Sequence, residues 1–526
     1  MRAVSAYDEV PYDCQPIPCT APEQLAVTSL LHGGPCPPVR DARVLEIGCG
    51  DGANLLSLAF HRPECRFVGV DASKVQIEDA RSSALRLGLA NTALHAADVT
   101  KIGDELGSFD CILAHGVMSW VSDAVRDAIF ALCRDKLAPN GLLYLSYNTN
   151  PGWLARGLVR DVMLRSADTH QPLRRLAGEA VARADCLRLA LDESDHPYAR
   201  LMSRELARVH QGNESYLIHD YLSEHNRPFW FREFASLAAG FGFRYLAEAA
   251  FTQPDYRVPP EISECAASLE SDPLEIEGLI DVLWYRQHRA SLFCRQDRAG
   301  AQKTEALAPN RLNVASGLRP GSDVVSLDPE VPETFTGCFE PSVRLELSDP
   351  PTKAALVALA AQWPHGLPWE RLLDRTGAIL QEAGIEPPRG DDGLDLWAPL
   401  CELHALGQVE LRLIDLPARR EPRETPAATP LTRWEAERRA IVTTATHQRL
   451  ALTQTDRLLV QRLDGRIARA ALVGAVVEKL RSREVCDWNE DELAAGDGAA
   501  PLTLEQWAED QLDRNVALLA AWGLLS

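Results

Sequence analysis

Residues 43–59, RVLEIGCGDGANLLSLA, constrain the fold of this 526-residue chain more than any other segment. The apolar run RVLEI predicts a strand, GCGDG predicts a turn, and the apolar spacing that follows predicts the start of a helix. A strand, a glycine turn and a helix in this order are typical of α/β proteins that bind nucleotide-like cofactors at the carboxyl ends of parallel strands. The segment therefore predicts a cofactor site at the end of the first strand.

The same alternation of strand and helix continues to about residue 150. The segments RFVGVD, ALHAAD, FDCILAHG and GLLYLSYN are strand-like, and SDAVRDAIFALCRDKL has apolar residues at helical spacing behind a serine suited to cap a helix. Strands that alternate with helices imply a parallel sheet covered on both faces. We therefore predict an α/β fold with a Rossmann-like, mostly parallel sheet.

Changes of pattern divide the chain into parts. Strand signals fade after residue 153 and return at FRYLAEAAF and RASLFC, so we expect an insertion that serves as a lid, a regulatory element or a dimer contact. Polar stretches with several prolines and glycines predict linkers. The predicted parts are the α/β core at 1–153 and 226–298, the helical insertion at 154–225, linkers at 299–341 and 417–434, a winged-helix-like domain at 342–416 and a mainly helical end at 435–526.

Composition argues against several classes of function. The net charge of −21 is unsuited to broad nucleic-acid binding, which depends on clustered Lys and Arg. No apolar run approaches 18 residues, so we expect no stable membrane insertion. Thirteen dispersed cysteines without CxxC spacing indicate a reducing compartment, and we expect a cytoplasmic protein. No metal site is expected, since His219, Glu224 and His225 match no zinc spacing.

The glycine turn alone leaves two cofactor classes open. Gly48, Gly50 and Ala53 with Asp71 some twenty residues on fit a nicotinamide-dinucleotide fingerprint. Glu46, two residues before the first glycine, would repel a pyrophosphate but would attract the sulfonium and amino group of S-adenosylmethionine. This carboxylate favours S-adenosylmethionine.

Two further acids end the next strands and support the same cofactor. Asp71 ends RFVGVD, where a carboxylate can accept both ribose hydroxyls. Asp98 ends ALHAAD, where it can accept from the adenine amino group while Val99 packs on the ring. Each acid could instead cap or face a helix, but their order at successive strand ends favours a binding site. The predicted cofactor-binding residues are Glu46, Gly48, Cys49, Gly50, Asn54, Asp71, Ala72, Asp98, Val99 and His115.

With these motifs the chain resembles class I S-adenosylmethionine-dependent methyltransferases, and within them the rickettsial-type outer-membrane-protein lysine methyltransferases. The likeness is carried by YDEVPY, LEIGCGDGANLL, AHGVMSWV, LYLSYNTNPGW, NRPFWFREFASLAAGFGFRYLAEA and RASLFCRQD, and more weakly by RLDGRIARAALV. It implies a seven-stranded sheet, a methyltransferase regulatory domain and a C-terminal winged-helix domain. The chain departs from the family pattern at Met118 and Ala21, which bears on substrate choice.

The resemblance implies methyl transfer to lysine side chains of a protein. A small-molecule O- or N-methyltransferase remains an alternative, as does a non-catalytic protein that senses S-adenosylmethionine and recruits a partner. A homodimer is possible, and the few basic residues of the winged-helix-like segment favour protein over DNA contacts.

Residues that end the fourth and fifth strands are placed for the acceptor. Transfer to lysine requires a neutral amine held in line with the methyl group, and an aromatic-walled channel would lower the amine's pKa. We predict that Tyr147 and Asn148 orient the amine, that Trp120 and Trp153 wall the channel, and that His115 accepts a proton.

Overall fold

The chain forms two compact units. The computed structural model describes residues 6–165, 167–168, 171–252, 257–298, 309–338, 343–386, 394–416, 424–482, 484 and 503–526. The first unit comprises residues 1–15, 24–251 and 255–307, and the second comprises 16–23, 252–254 and 308–526.

The first unit consists of one large sheet with helices packed on it. Its strands are β1 (Arg43–Ile47), β2 (Arg66–Asp71), β3 (Thr92–Ala96), β4 (Phe109–Ala114), β5 (Leu137–Asn148), β6 (Phe243–Glu248) and β7 (His288–Arg295). Its helices are α1 (Ala6–Glu9), α2 (Pro22–Leu31), α3 (Ala53–His61), α4 (Lys74–Leu87), α5 (Asp123–Lys136), α6 (Gly152–Leu164), α7 (Leu173–Asp192), α8 (Pro197–Gln211), α9 (Glu214–Tyr216), α10 (Phe231–Gly240), α11 (Pro260–Leu269) and α12 (Pro273–Trp284).

The seven strands lie in the order β3-β2-β1-β4-β5-β7-β6. β1 to β5 pair in parallel, whereas β7 runs antiparallel to both of its neighbours. This confirms the mostly parallel seven-stranded sheet, including its completion by strands from residues 226–298. The carboxyl ends of β1, β2, β4 and β5 meet at one edge, where ligands of such sheets bind.

Alternation of side chains along the strands separates a core face from a second face. Leu143, Leu145 and Tyr147 of β5 lie in the core cluster with Phe130 of α5 and Phe234 of α10. Residues at the intervening positions point to the other face, because successive side chains of a strand alternate. This alternation decides which residues of β5 can face a ligand.

The insertion predicted at 154–225 is helical and has its own core. Helices α6 to α9 are followed by a π-helical turn, Leu217–Tyr221. Val159, Met163, Leu176 and Met202 are buried in this core, and Val10 of the N-terminal segment packs with them. The N-terminal segment is therefore part of the helical layer, which is the name we give to this insertion with the residues packed in its core.

The second unit contains small sheets and helices. Its strands are β8 (Asn313–Ala315), β9 (Leu318–Pro320), β10 (Glu333–Gly337), β11 (Arg344–Leu347), β12 (Leu367–Pro368), β13 (Glu410–Arg412), β14 (Ile441–Thr443) and β15 (Arg449–Ala451). Its helices are α13 (Pro350–Gln362), α14 (Trp369–Glu382), α15 (Leu394–Ala405), α16 (Pro430–Arg438), α17 (Gln454–Arg462), α18 (Arg469–Arg481) and α19 (Leu504–Ala521). The sheets have the orders β11-β10-β9, β12-β8-β13 and β14-β15.

The linker predicted at 299–341 is wrong for residues 309–337. β8 pairs with β12 and β13, which lie about 50 and 100 residues further along, and β10 pairs with β9 and β11. The linker predicted at 417–434 is wrong for its last residues, because α16 begins at Pro430. Residues 299–308, 339–342 and 417–423 lie outside the described residues. In the part predicted to be mainly helical, β14 and β15 form a hairpin.

No helix within the described ranges is both long enough and apolar enough to cross a membrane.

Candidate cofactor and acceptor site

The turn after β1 requires glycine at three alternate positions. Gly48, Gly50 and Gly52 all have positive φ, at 74°, 53° and 78°. A Cβ atom on Gly48 would lie 2.5 Å from Val117 Cγ2, and one on Gly50 would lie 2.3 Å from Cys14 Sγ. The loop is therefore folded tightly between two other segments of the chain.

Glu46 is a buried carboxyl group with one satisfied oxygen. Its Oε1 accepts a hydrogen bond from Asn54 Nδ2 at 3.1 Å, and Cys49 lies buried in the same loop. Its Oε2 is buried and has no hydrogen-bond partner among the described residues. Burial raises the pKa of Glu46 to about 8. The unpaired oxygen of this buried carboxyl group can accept one more hydrogen bond, which a cationic amino group would provide.

Asp71 ends β2 and joins the glycine loop to α4. Its Oδ2 accepts from Gly50 N at 2.9 Å and its Oδ1 from Ser73 N at 2.8 Å. Burial raises the pKa of Asp71, and these two hydrogen bonds act against the rise. An ionised carboxylate offers about four acceptor positions, so Asp71 can also accept from a ligand hydroxyl. Ala72, beside it, is exposed.

Asp98 caps the short turn that follows β3. Its Oδ1 accepts from Thr100 N at 3.0 Å and from Thr100 Oγ1 at 2.8 Å, and these bonds lower its pKa. The side chain is exposed, and Val99 packs against the core of the sheet. The capping alternative considered for Asp98 is therefore realised, and a contact of Asp98 with adenine stays a prediction.

These residues fit S-adenosylmethionine. Glu46 and Asp71 end adjacent strands, the glycine loop bends between them, and Glu46 Oε2 is an orphaned acceptor. A pyrophosphate would find no basic side chain in this set. Across the described ranges, no group of three His, Cys, Asp or Glu side chains is arranged to hold a metal ion.

A polar cluster lies on the second face of β5. Tyr144 Oη and His115 Nδ1 are 2.8 Å apart, and the His115 ring centroid lies 5.7 Å from that of His288. Burial lowers the pKa of His288 to about 4, so its ring is neutral. Asn148 lies opposite His288 in the sheet, and its Nδ2 is buried without a partner among the described residues. This amide can donate to a ligand.

The predicted role of Tyr147 at the acceptor is corrected by the structure. Tyr147 is 1% exposed, its ring stacks on Phe234 with centroids 3.6 Å apart, and its hydroxyl lies 3.1 Å from Ser291 Oγ. Because Tyr147 and Asn148 are consecutive in a strand, they point to opposite faces. Asn148 faces the His115 cluster, whereas Tyr147 belongs to the core.

The two tryptophans predicted to wall a channel are in contact. The ring centroids of Trp120 and Trp153 lie 5.6 Å apart in an edge-to-face arrangement. Trp153 is buried and Trp120 is half-buried, and the Arg156 guanidinium lies 4.8 Å from the Trp153 ring centroid. The loop after β4 therefore meets the helical layer at this aromatic pair.

Sequence analysis missed the residues that hold the loop after β4. Ser119 Oγ accepts from Asn148 N at 2.9 Å, and Ser119 O accepts from Arg227 N at 2.8 Å. Arg126 donates to the carbonyls of Met118 and Val121 at 2.8 and 2.9 Å. Met118, which departs from the family pattern, is fully buried in the core. The only signal for Ser119 and Arg227 was their place within AHGVMSWV and NRPFWF, and Arg126 lies in neither motif.

Residues 6–15, which we call the N-terminal strap, connect the cofactor edge with the helical layer. At the cofactor edge, Ser73 Oγ donates to Asp8 at 2.6 Å and Gln76 Nε2 donates to Tyr12 O at 3.0 Å. At the helical layer, His219 Nε2 bonds to Val10 O at 2.7 Å. YDEVPY, within this strap, therefore contacts residues of both the cofactor edge and the helical layer.

Three family models match the chain. A methyltransferase domain matches residues 44–141, and a predicted methyltransferase regulatory domain matches residues 213–295. A PKMT C-terminal winged helix domain matches residues 424–521. This model thus matches the part that we predicted to be mainly helical, and the winged-helix-like fold of 342–416 stays a prediction. The hairpin strands of the matched part are only three residues long, so they leave no alternation to read.

Two uncharacterized proteins of Rickettsia prowazekii are similar to the chain. RP789 is 37% identical over 292 residues, which is 55% of this chain and 53% of that protein. RP028 is 34% identical over 241 residues, which is 46% of this chain and 96% of that protein. The chain thus matches about half the length of RP789 and nearly all of RP028.

The fold is that of a solved structure. PKMT2 from Rickettsia typhi, also solved in complex with AdoHcy, superposes with a TM-score of 0.77 at 23% identity, covering 98% of this chain and 100% of that one. Together with the three family models, this likeness accounts for both units. The chain belongs to the family of class I S-adenosylmethionine-dependent methyltransferases that carry a methyltransferase regulatory domain and a C-terminal winged-helix domain.

Proposed function

We propose that this chain transfers a methyl group from S-adenosylmethionine to the side-chain amine of lysine in a protein substrate. The observation that carries the proposal is the unpaired Asn148 amide, which lies on the same face of the sheet as the His115 cluster. Support for a protein substrate comes from the likeness to PKMT2 and to the PKMT winged helix, a name used for protein lysine methyltransferases.

The cofactor, when bound, supplies an activated methyl group. Glu46 Oε2 would accept from its amino group, and Asp71 would accept from its ribose hydroxyls. These contacts would fix the reacting carbon relative to the ends of β4 and β5, which is the proximity effect that such a displacement requires.

The acceptor amine must be neutral when it reacts. A lysine amine has a pKa about three units above neutral pH, and an apolar, aromatic environment lowers it. Trp120 and Trp153 would supply this environment, and Asn148 Nδ2 would orient groups at the end of β5. His115, whose Nδ1 is bonded to Tyr144, is the candidate proton acceptor.

The test is to incubate the full chain with methyl-labelled cofactor and a lysate of its own source. We expect label in proteins, released as methyl-lysine after acid hydrolysis. Asp71→Ala is the control, since losing its hydrogen bonds should weaken cofactor binding by about 1.5–3 kcal/mol and reduce labelling. Label only in small molecules would replace the proposal by a small-molecule methyltransferase. Cofactor binding without any methyl transfer would contradict the proposal and favour a protein that only senses the cofactor.

A further inference from the structure

A half-buried carboxylate lies where the N-terminal strap meets the end of the helical layer. Asp220 is part of the π-helical turn Leu217–Tyr221. Single π-helical turns are rare and occur frequently at functional sites. The turn is not explained by the cofactor site, which lies at the glycine loop.

Tyrosine side chains lie near this carboxylate. Tyr12 Oη donates to Asp220 Oδ2 over a long 3.5 Å, and the Tyr7 ring stacks on His219 with centroids 4.2 Å apart. Burial and then the charge of Asp220 raise the pKa of Tyr7, and the same charge acts on Tyr216. We call Asp220 with Tyr7, Tyr12 and Tyr216 the Asp220 pocket.

Asp220 has no cation paired with it among the described residues. It forms no salt bridge within 4 Å in the part of the chain that the structure describes, and Arg156 instead pairs with Glu205 at 3.7 Å. Burial lowers the pKa of His219, which therefore stays neutral. Burial raises the pKa of Asp220 to about 7, which reflects a carboxylate with too few partners.

The strap and α6 connect this turn with the two halves of the site. Tyr12, whose hydroxyl donates to Asp220, accepts through its carbonyl oxygen from Gln76 Nε2 of the cofactor edge at 3.0 Å. Arg160 of α6, the helix that contains Trp153, donates to Ser223 O, three residues after Asp220. Asp220 therefore lies on elements that also contact the cofactor edge and the helix of Trp153.

We infer that the Asp220 pocket is an entry subsite for the lysine ammonium of the substrate. The carboxylate pairs with the cation, and the tyrosine faces attract it before it reaches the drier channel at Trp153. The inference rests on the proposed function, because it names the group that selects a charged amine for that same site.

The test measures binding of n-butylammonium, a mimic of the lysine side chain, to the full chain saturated with S-adenosylhomocysteine. We expect NMR titration to show binding of n-butylammonium and at least ten-fold weaker binding of neutral n-butanol. Asp220→Asn keeps an acceptor for Tyr12 but removes the charge, and should weaken n-butylammonium binding at least ten-fold. Equal binding by this variant and the wild type would overturn the inference.

Two further variants separate charge from structure. Asp13→Asn is the matched control, because Asp13 lies in the same strap, is exposed and, among the described residues, accepts only from Asn213 at 3.1 Å. This variant should bind n-butylammonium as the wild type does. Should Asp220→Asn not fold, Tyr12→Phe removes the hydrogen bond to Asp220 and keeps ring and charge. It should bind n-butylammonium at least as tightly as the wild type, and a loss beyond three-fold would contradict the inference.

These measurements do not depend on catalysis. If label transfer to protein fails while n-butylammonium binds through Asp220, the proposed function is wrong and the subsite stands. If label is transferred and Asp220→Asn changes neither n-butylammonium binding nor the KM for protein, the subsite is wrong and the function stands.

Discussion

Glu46 shows how one residue distinguishes between cofactors. Its carboxyl group is buried beside the glycine loop, bonded through one oxygen to Asn54 and left unpaired at the other. In the absence of a cation the protonated form is favoured, since burial raises the pKa of Glu46 to about 8. An incoming ammonium would favour the ionised form, so binding would release a proton from Glu46 below pH 8.

Cofactor affinity should therefore increase with pH. Between about pH 6 and pH 8 the carboxyl group is protonated in the free protein and ionised in the complex. The affinity for S-adenosylmethionine should rise in this range, by up to about ten-fold per pH unit for release of one proton. Calorimetry in buffers of different ionisation enthalpy measures both the affinity and the proton count.

Glu46→Gln provides the control for this pH dependence. The amide cannot titrate, so its affinity should be weaker and nearly constant from pH 6 to pH 8. A glutamine variant that kept the slope of the wild type would assign the released proton to another group.

The strand β5 illustrates how an element assigns roles to neighbouring residues. Its side chains alternate between a core face, which holds Tyr147, and the face of His115, which holds Tyr144, Ser146 and Asn148. Ser146 Oγ accepts from Gly116 N at 2.7 Å, so this face also holds the loop after β4. The face, and not the position at the strand end, decides which residue can meet a substrate.

Tyr147→Phe and Asn148→Ala should therefore differ in effect. Tyr147→Phe loses only the hydrogen bond to Ser291, so it should lower the free energy of unfolding by about 1 kcal/mol and leave turnover within about three-fold. Asn148→Ala removes the unpaired amide and should reduce turnover by about 10²-fold, the scale of lost alignment. Urea unfolding and initial rates of label transfer measure the two effects. If Tyr147→Phe reduced turnover more than Asn148→Ala did, Tyr147 would be the residue that acts at the acceptor.

The sequence predicts the sheet well because its strands are local, apolar and regularly spaced by helices. It does not predict which face Tyr147 takes, since that depends on the packing of Phe229 and Phe234 about 80 residues later. The strands between 309 and 337 are short and pair with distant partners, so no local pattern indicates them. Asp71 and Glu46 were predictable because motif spacing places them at strand ends.

At the scale of the whole molecule, all predicted cofactor residues lie in the first compact unit. The strap lies in the same unit and contacts both Ser73 at the cofactor edge and His219 in the helical layer. Ligand binding in this unit should therefore stabilise segments that are far apart in the sequence.

Hydrogen exchange should reveal this distribution. Adding S-adenosylhomocysteine should slow amide exchange in peptides that cover residues 6–15, 46–54 and 71–76, because binding stabilises the contacts among them. Peptides from 309–338 and 424–482 serve as internal controls and should exchange at unchanged rates. Slower exchange in the controls with none in the strap would place the ligand elsewhere.

The strap also has a consequence for the order in which the protein is made. Its residues leave the ribosome first, yet their partners follow much later: Ser73 comes 65 residues after Asp8, and His219 comes 209 residues after Val10. Chains fold during synthesis from the N-terminus, and contacts distant in sequence form late. The strap can therefore reach Ser73 early in synthesis, whereas its contact with His219 has to wait for the helical layer. A nascent chain should thus hold its strap at the cofactor edge only, until its helical layer has emerged.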